Sequence, residues 1–130
     1  MTQSLGGISV LIVEDEIIIG MMLCREIARA GGTPIGPVTS VACALKEVES
    51  RIIDAVILDA KLVDGSGGDL AACLEERRIP YVVTSGYEKT SLPRGLRGAP
   101  FVAKPIAPLL LMEALASRLA TTSERHLSPG

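Results

Sequence analysis

The chain has 130 residues, 48% of them hydrophobic, which is enough to bury one core and short for two domains. Its net charge of −2 arises from 13 basic and 15 acidic residues, so no basic excess exists to hold a nucleic-acid backbone. Charged residues interrupt every apolar run well before the roughly 18 residues of a membrane span, and Met1 to Gly7 lack the features of a secretory signal. We expect a cytoplasmic protein that neither contacts nucleic acid directly nor inserts into a membrane.

Short runs rich in β-branched residues alternate with segments of helical periodicity. They predict strands at 8–13, 33–38, 55–58, 81–84 and 101–103, and helices at 17–30, 41–48, about 66–78 (opened by Ser66 or Asp69) and about 108–120. Alternating strands and helices in so short a chain indicate an α/β fold with a doubly wound parallel sheet. We expect residues 1–7 to form an N-terminal tail, 8–120 the folded domain, and 121–130 a flexible tail.

Prolines indicate which strands lie at the edges of the sheet. Pro34 and Pro37 cannot donate to a strand ladder, so the second strand belongs at an edge, and Pro100 places the fifth strand at the other. Both placements agree with the flavodoxin-like strand order 2-1-3-4-5. Between the fourth and fifth strands, residues 85–100 contain three glycines and two prolines with almost no apolar period, so we expect helix 4 to be shortened or replaced by a loop.

Helical spacing also predicts which side chains of the first helix face the sheet. Ile17, Met21, Cys24 and Ala28 recur on one face, which we expect to be the buried one. The three cysteines lack metal-ligand or disulfide spacing and are predicted to be buried free thiols: Cys24, Cys43 and Cys73. The single histidine, His126, lies in the polar C-terminal segment, where it supports no histidine-based catalysis.

Acidic residues follow the first and third predicted strands. Glu14 and Asp15 end the first strand and Asp59 ends the third. In the order 2-1-3-4-5 these two strands flank the switch point, where open α/β sheets bind their ligands. Carboxylates this close repel one another unless a cation offsets them, and Mg²⁺ (or Mn²⁺) is the hard cation that suits such oxygen ligands. Thr84 and Lys104, which end the fourth and fifth strands, add a hydroxyl and an ammonium that suit a phosphoryl group bound to Asp59.

At these residues the sequence resembles the receiver domain of two-component response regulators. The matching segments are 10–16 (Val-Leu-Ile-Val-Glu-Asp-Glu), 55–59 (Ala-Val-Ile-Leu-Asp), 82–86 (Val-Val-Thr-Ser-Gly) and 101–105 (Phe-Val-Ala-Lys-Pro). Each is short, but their order and spacing together are specific, and the resemblance covers nearly the whole chain.

The resemblance implies a role for each of these positions. Asp59 would accept phosphate from a phosphohistidine, Asp15 would bind Mg²⁺ directly, Glu14 would assist through water, and Lys61 would offer its backbone carbonyl to the metal. Thr84 and Lys104 would bind the phosphoryl group.

The resemblance further implies a conformational switch. Phe101 would be the aromatic switch residue that turns inward as Thr84 moves, and Pro105 would follow a cis peptide bond. We expect the glycine-containing loop 85–99 to be the part that moves on phosphorylation.

The sequence departs from the usual receiver pattern in two places. Leu62 and Val63 stand where receivers commonly have Met-Pro, and Thr84 is followed by Ser85, Gly86 and Tyr87. These features resemble a divergent subset of receivers found in bacterial stress and cell-cycle phosphorelays.

Other functions remain open at this point. A flavodoxin needs a phosphate-binding loop after the first strand, where this chain has carboxylates, and a haloacid-dehalogenase phosphatase needs an aspartate at position 61, where this chain has lysine. A pseudo-receiver that binds partners without phosphorylation is the main alternative.

With no room for an output domain in this sequence, the resemblance implies signalling through protein contacts, as a phosphate shuttle, a phosphate sink or a reversible binder. The implied donor is a sensor histidine kinase or a histidine phosphotransfer protein, and the downstream target is unknown. Two apolar surfaces are candidates for docking: Ile18, Ile19 and Met22 in the first helix, and Leu110, Leu111 and Ala114 in the last.

Overall fold

The computed structural model describes residues 5–62, 68–86 and 101–127. Its strands are β1 (Ser9–Val13), β2 (Thr33–Val38), β3 (Ala55–Asp59), β4 (Tyr81–Ser85) and β5 (Phe101–Ala103). Its helices are α1 (Ile17–Arg29), α2 (Val41–Ser50), α3 (Gly68–Glu76) and α4 (Pro108–Leu127). No described helix is long and apolar enough to cross a membrane.

The strands form one parallel sheet in the order β2-β1-β3-β4-β5, which confirms the flavodoxin-like prediction. The proline-bearing β2 lies at one edge and β5 at the other. From position 87 onward, the segment predicted to replace the fourth helix of the family lies outside the described residues.

Two hydrophobic clusters cover the two faces of the sheet. Leu11 and Val13 pack with α2 and α3 on one face, and Val10 and Ile12 pack with α1 and α4 on the other. Because both faces are covered, the central strands are continuously apolar rather than alternating, which is why they appear in the sequence as short unbroken runs. The carboxyl ends of β1, β3 and β4 therefore emerge together from a rigid, dry layer.

Local signals account for several helix boundaries. The Ser40 hydroxyl accepts a hydrogen bond from the Cys43 backbone N–H at 3.1 Å and so caps α2. Gly31 follows α1 with a φ of +91°, a conformation that favours glycine at a helix end. Pro108 begins α4, where its fixed φ suits a first helical turn.

The buried face of α1 differs from the predicted one. The residues that face the sheet are Gly20, Leu23 and Ile27, whereas Ile17 and Met21 are 52% and 61% exposed. Helix α1 is apolar on most sides, so periodicity did not determine its rotation. Packing did, because a Cβ at Gly20 would lie 2.6 Å from the Cβ of Pro37, and only glycine fits there.

Other burial predictions also need correction. Ile19, Leu111 and Ala114, which were expected off the core face, pack in the cluster beneath α1 and α4. Cys43 is exposed, and Cys24 and Cys73 are only partly buried, because apolar residues such as Ala44, Leu23 and Leu74 take the central positions. Ile18, Met22 and Leu110 are exposed, as predicted.

Both chain ends contain more structure than predicted. Leu5, assigned to the tail, is 1% exposed and its backbone N–H donates to the Ala30 carbonyl at 2.7 Å. Helix α4 continues to Leu127 rather than ending at Ala120, because no glycine or proline occurs between Pro108 and Pro129.

We expect Gly20→Ala to destabilise the protein, although alanine is intrinsically favoured over glycine in a helix by about 1 kcal/mol. The added methyl group would force α1 away from Pro37, and overpacking of this kind costs about 1–3 kcal/mol. Urea unfolding followed by circular dichroism measures the change.

Gly86→Ala is the control, since a Cβ at Gly86 meets no atom of residues 5–62, 68–86 or 101–127 within 4 Å. Equal or greater stability of the Gly20→Ala protein would show that α1 does not depend on this close contact.

Candidate functional site

Three carboxylates converge at the switch point of the sheet. Glu14 and Asp15 follow β1 and Asp59 is the last residue of β3, and each offers an oxygen that lies within 4.8 Å of the others. Glu14 is 0% and Asp59 2% exposed, while Asp15 is partly exposed. The sequence predicted this convergence from strand order, and the structure brings the three residues together.

Lys104 contacts two of these carboxylates. Its Nζ lies 2.9 Å from Glu14 Oε1 and donates a hydrogen bond to Asp59 Oδ2 at 3.2 Å. The pairing of β5 with β4 fixes the position of Lys104, because the Lys104 backbone N–H donates to the carbonyl of Ser85, the last residue of β4, at 2.9 Å. The Lys104–Pro105 peptide bond is cis, in agreement with the resemblance.

Backbone N–H groups hold the other carboxylate oxygens. The Lys61 N–H donates to Asp59 Oδ1 at 3.0 Å, and the Glu16 N–H donates to Glu14 Oε2 at 3.1 Å. The Lys61 residue is exposed. These bonds orient both acids toward the crevice rather than toward the core.

Thr84 lies beside Asp59 in the β3–β4 register, where the Ala60 N–H also donates to the Thr84 carbonyl at 2.9 Å. Its side chain is 0% exposed, and its Oγ1 has no hydrogen-bond partner among the described residues. A buried hydroxyl without a partner is costly, so its retention beside Asp59 suggests a ligand that it contacts.

Crowding of the acids changes their protonation. Burial, together with contacts from Glu14 and Asp15, raises the pKa of Asp59 to about 7, although the Lys61 N–H opposes the rise. Partial burial tends to raise the pKa of Asp15, but hydrogen bonding with Asp59 and Glu14 and the charge of Lys104 lower it overall. For Lys104, burial opposes the charged form, yet contacts with Glu14 and Asp59 raise its pKa.

The donor set fits a hard divalent cation. Three carboxylates carry more negative charge than one ammonium offsets, and oxygen ligands in this number suit Mg²⁺, which keeps several waters and accepts a phosphoryl oxygen. The Lys104 ammonium contacts the Asp59 carboxylate and Thr84 is the register partner of Asp59, so this ammonium and hydroxyl suit an anionic group bound next to that cation.

Phe101 begins β5, but its side chain lies outside the described part of the chain, so the aromatic switch stays a prediction. Sequence patterns did not identify the Ser85 carbonyl as the anchor of Lys104. The pairing of β4 with β5 supplies this contact, and the adjacency of Ser85 to Thr84 was the only available signal.

In metal-free buffer with EDTA we expect Asp59→Asn to stabilise the protein at pH 8 and so to raise its Tm. For a domain of this size, each ~1 kcal/mol of added stability raises the Tm by about 4 °C. An acid whose folded pKa lies above its unfolded value lowers stability as pH rises between the two values. The stability of Asp59→Asn relative to the parent protein should therefore increase from about pH 4 to the folded pKa of about 7 and then level off.

Calorimetry across this pH range measures the effect. Glu49→Gln, which neutralises an exposed acid on α2, serves as the control for the loss of one negative charge. A lower Tm for Asp59→Asn at every pH would contradict the crowding argument.

No protein-family model matches the chain, and no curated protein matches it either. Solved structures do match it. SdrG from Sphingomonas melonis Fr1 is 36% identical, with a TM-score of 0.72 over 90% of this chain and 97% of that one.

Two more distant structures share the fold. A CheY-like response regulator receiver domain protein from Methanospirillum hungatei JF-1 is 20% identical, with a TM-score of 0.81 over 92% of this chain and 99% of that one. The signal receiver domain of an HD domain-containing protein from Pseudomonas fluorescens Pf-5 is 20% identical, with a TM-score of 0.80 over 91% and 98% of the two chains. Together with the acid cluster and its lysine, these matches identify the chain as a member of the response regulator receiver domain family.

Proposed function

We propose that this receiver domain accepts a phosphoryl group from a phosphohistidine onto Asp59, with Mg²⁺ (or Mn²⁺) bound, and signals through contacts that depend on the phosphorylation. The observation that carries the proposal is the surroundings of Asp59. Its buried carboxylate has two acidic neighbours, an ammonium at 3.2 Å and, on the paired strand β4, the buried Thr84 hydroxyl, which has no hydrogen-bond partner in the part of the chain that the structure describes.

Asp59 is the nucleophile in this proposal. Its carboxylate oxygen forms a bond to phosphorus while the P–N bond of the donor breaks, and the electron pair of that bond returns to the imidazole nitrogen. The product is an acyl phosphate. The Lys61 N–H holds Asp59 Oδ1 at 3.0 Å and so orients the carboxylate for this attack.

The remaining site residues handle the charge of the transferred group. Glu14 and Asp15 would hold the cation, which offsets negative charge on the phosphoryl oxygens, and the Lys61 carbonyl would complete its protein ligands. Lys104, whose Nζ lies 3.2 Å from Asp59 Oδ2, would act as a counter-ion to the phosphoryl oxygens, and the hydroxyl of Thr84, the register partner of Asp59, would donate to one of them. Phe101 would then respond to the displacement of Thr84.

The exposed apolar face of α1, the α1 patch, is the proposed docking surface for the phosphohistidine donor in the cytoplasm. It consists of Ile17, Ile18, Met21 and Met22, which are 40% to 80% exposed and follow directly on the acidic residues of the site. Four exposed large apolar side chains beside a reactive carboxylate suit the apolar surface of a histidine kinase or a histidine phosphotransfer protein.

Phosphorylation can be tested directly with acetyl phosphate and Mg²⁺. We expect intact mass spectrometry to show the gain of one phosphate in the parent protein and none in Asp59→Asn. The matched control is Asp69→Asn, an exposed acid in the first turn of α3, which should be phosphorylated like the parent. Absence of a phosphate on the parent would favour the pseudo-receiver function instead.

Docking on the α1 patch is tested by Ile18→Glu. The added charge should slow phosphotransfer from the protein donor by about 10-fold or more, as loss of a central apolar contact does at interfaces, and leave phosphorylation by acetyl phosphate unchanged. Rapid-quench assays with both donors measure the two rates.

Ile52→Glu is the control, since Ile52 is 85% exposed but lies before β3, at the opposite end of the strands from Asp59. Equal slowing with both donors would place the effect of Ile18→Glu in the site rather than in docking.

A further inference from the structure

The carboxyl end of the edge strand β2 is irregular. Its register with β1 is regular from Ser9↔Thr33 to Leu11↔Ile35, but Val13 then pairs with Val38, so β2 carries one extra residue. Gly36 lies at this bulge with a φ of +104°. A Cβ at Gly36 would lie 2.7 Å from the Val38 nitrogen and 2.9 Å from the Ile12 carbonyl oxygen, so only glycine allows the chain to bend there.

The bend brings Pro37 against the first turns of α1. Pro37 Cβ and Cγ lie 2.6 Å and 2.8 Å from the position that a Cβ of Gly20 would take, and Glu14 Cβ is 3.7 Å from the same point. The proline ring, the glycine and the acidic residue therefore lie together. The absence of a side chain at Gly20 is what permits this approach.

Two connections run from this contact to Glu14, one to its main chain and one to its carboxylate. The Glu14 backbone N–H donates to the Val38 carbonyl at 3.0 Å, so the residue after Pro37 holds the Glu14 main chain. The Gly20 N–H donates to the Glu16 carbonyl at 2.9 Å, and the Glu16 N–H donates to Glu14 Oε2 at 3.1 Å. Pro37 therefore supports both the backbone and the carboxylate of Glu14.

The position of that carboxylate matters because Glu14 is fully buried and its other oxygen lies 2.9 Å from Lys104 Nζ. Mg²⁺ and Mn²⁺ are sensitive to the placement of the groups that orient their ligands. We propose that Pro37 is a positioning residue for the divalent-cation site, acting through Glu14 and the start of α1 from the edge of the sheet. This inference rests on the proposed function, because it assumes that the acid cluster binds a cation.

The test measures Mn²⁺ affinity rather than phosphorylation. Free Mn²⁺ is followed by electron paramagnetic resonance during titration of the parent protein, Pro37→Ala and Gly20→Ala, which disturb the same contact from its two sides. Because groups that orient metal ligands change affinity by about tenfold or more when removed, we expect each variant to raise the Mn²⁺ Kd by at least about threefold.

Two controls separate positioning from general loosening of the fold. Val48→Ala removes buried volume from α2, on the other face of the sheet, and Pro34→Ala changes the same edge strand in its regular part, before the bulge. Both should bind Mn²⁺ like the parent, although Val48→Ala lowers the Tm. Circular dichroism confirms that each variant is folded at the titration temperature, and if Pro37→Ala is unfolded, Gly20→Ala decides the result.

An increase in Kd confined to Pro37→Ala and Gly20→Ala supports the positioning role. A Kd within about threefold of the parent in both variants overturns it, and so does an equal increase in Val48→Ala. Failure of the parent protein itself to bind Mn²⁺ would instead reject the cation site of the proposed function, and this inference with it.

Discussion

The pairing of Lys104 with Glu14 and Asp59 is the interaction on which the site depends. Two almost fully buried carboxylates face each other across the ends of β1 and β3, and a buried carboxylate without a counter-charge is strongly unfavourable. One ammonium, 2.9 Å and 3.2 Å from the two acids, offsets part of this repulsion, and backbone N–H groups from Glu16 and Lys61 offset more. What remains is a crevice with excess negative charge, in which a divalent cation is a natural addition.

The sheet creates this arrangement because parallel strands end at the same edge. The β3–β4 register places Thr84 beside Asp59, and the pairing of β4 with β5 places the Lys104 backbone against Ser85. Hydrophobic clusters on both faces hold these registers, since a shift of one residue would exchange the residues that face the two layers. The chemistry of the crevice is therefore inseparable from the packing below it.

The similarity to solved receivers reflects the different requirements of the sheet and of the residues around Asp59. Structures only 20% identical superpose with TM-scores of 0.80 and 0.81, because strands covered on both faces need β-branched and aliphatic residues rather than particular ones. The residues that surround Asp59 in this chain act instead through their charge and hydrogen bonding. The bulge at the end of β2 lies neither in the covered central strands nor among the residues around Asp59. The proposed role of Pro37 would nevertheless make this edge strand part of the site.

The sequence was sufficient to predict the strand order, the edge positions of β2 and β5, and the convergence of Glu14, Asp15 and Asp59, because proline placement and apolar periodicity act locally and strand ends follow from them. It did not determine the rotation of α1. That helix is apolar on most sides, and its orientation depends on a contact between Gly20 and Pro37, residues distant in the chain. Nor did it determine which acids Lys104 contacts or that the buried Thr84 hydroxyl finds no partner among the residues that the structure describes, since distances between side chains on different strands exist only once the layers have packed.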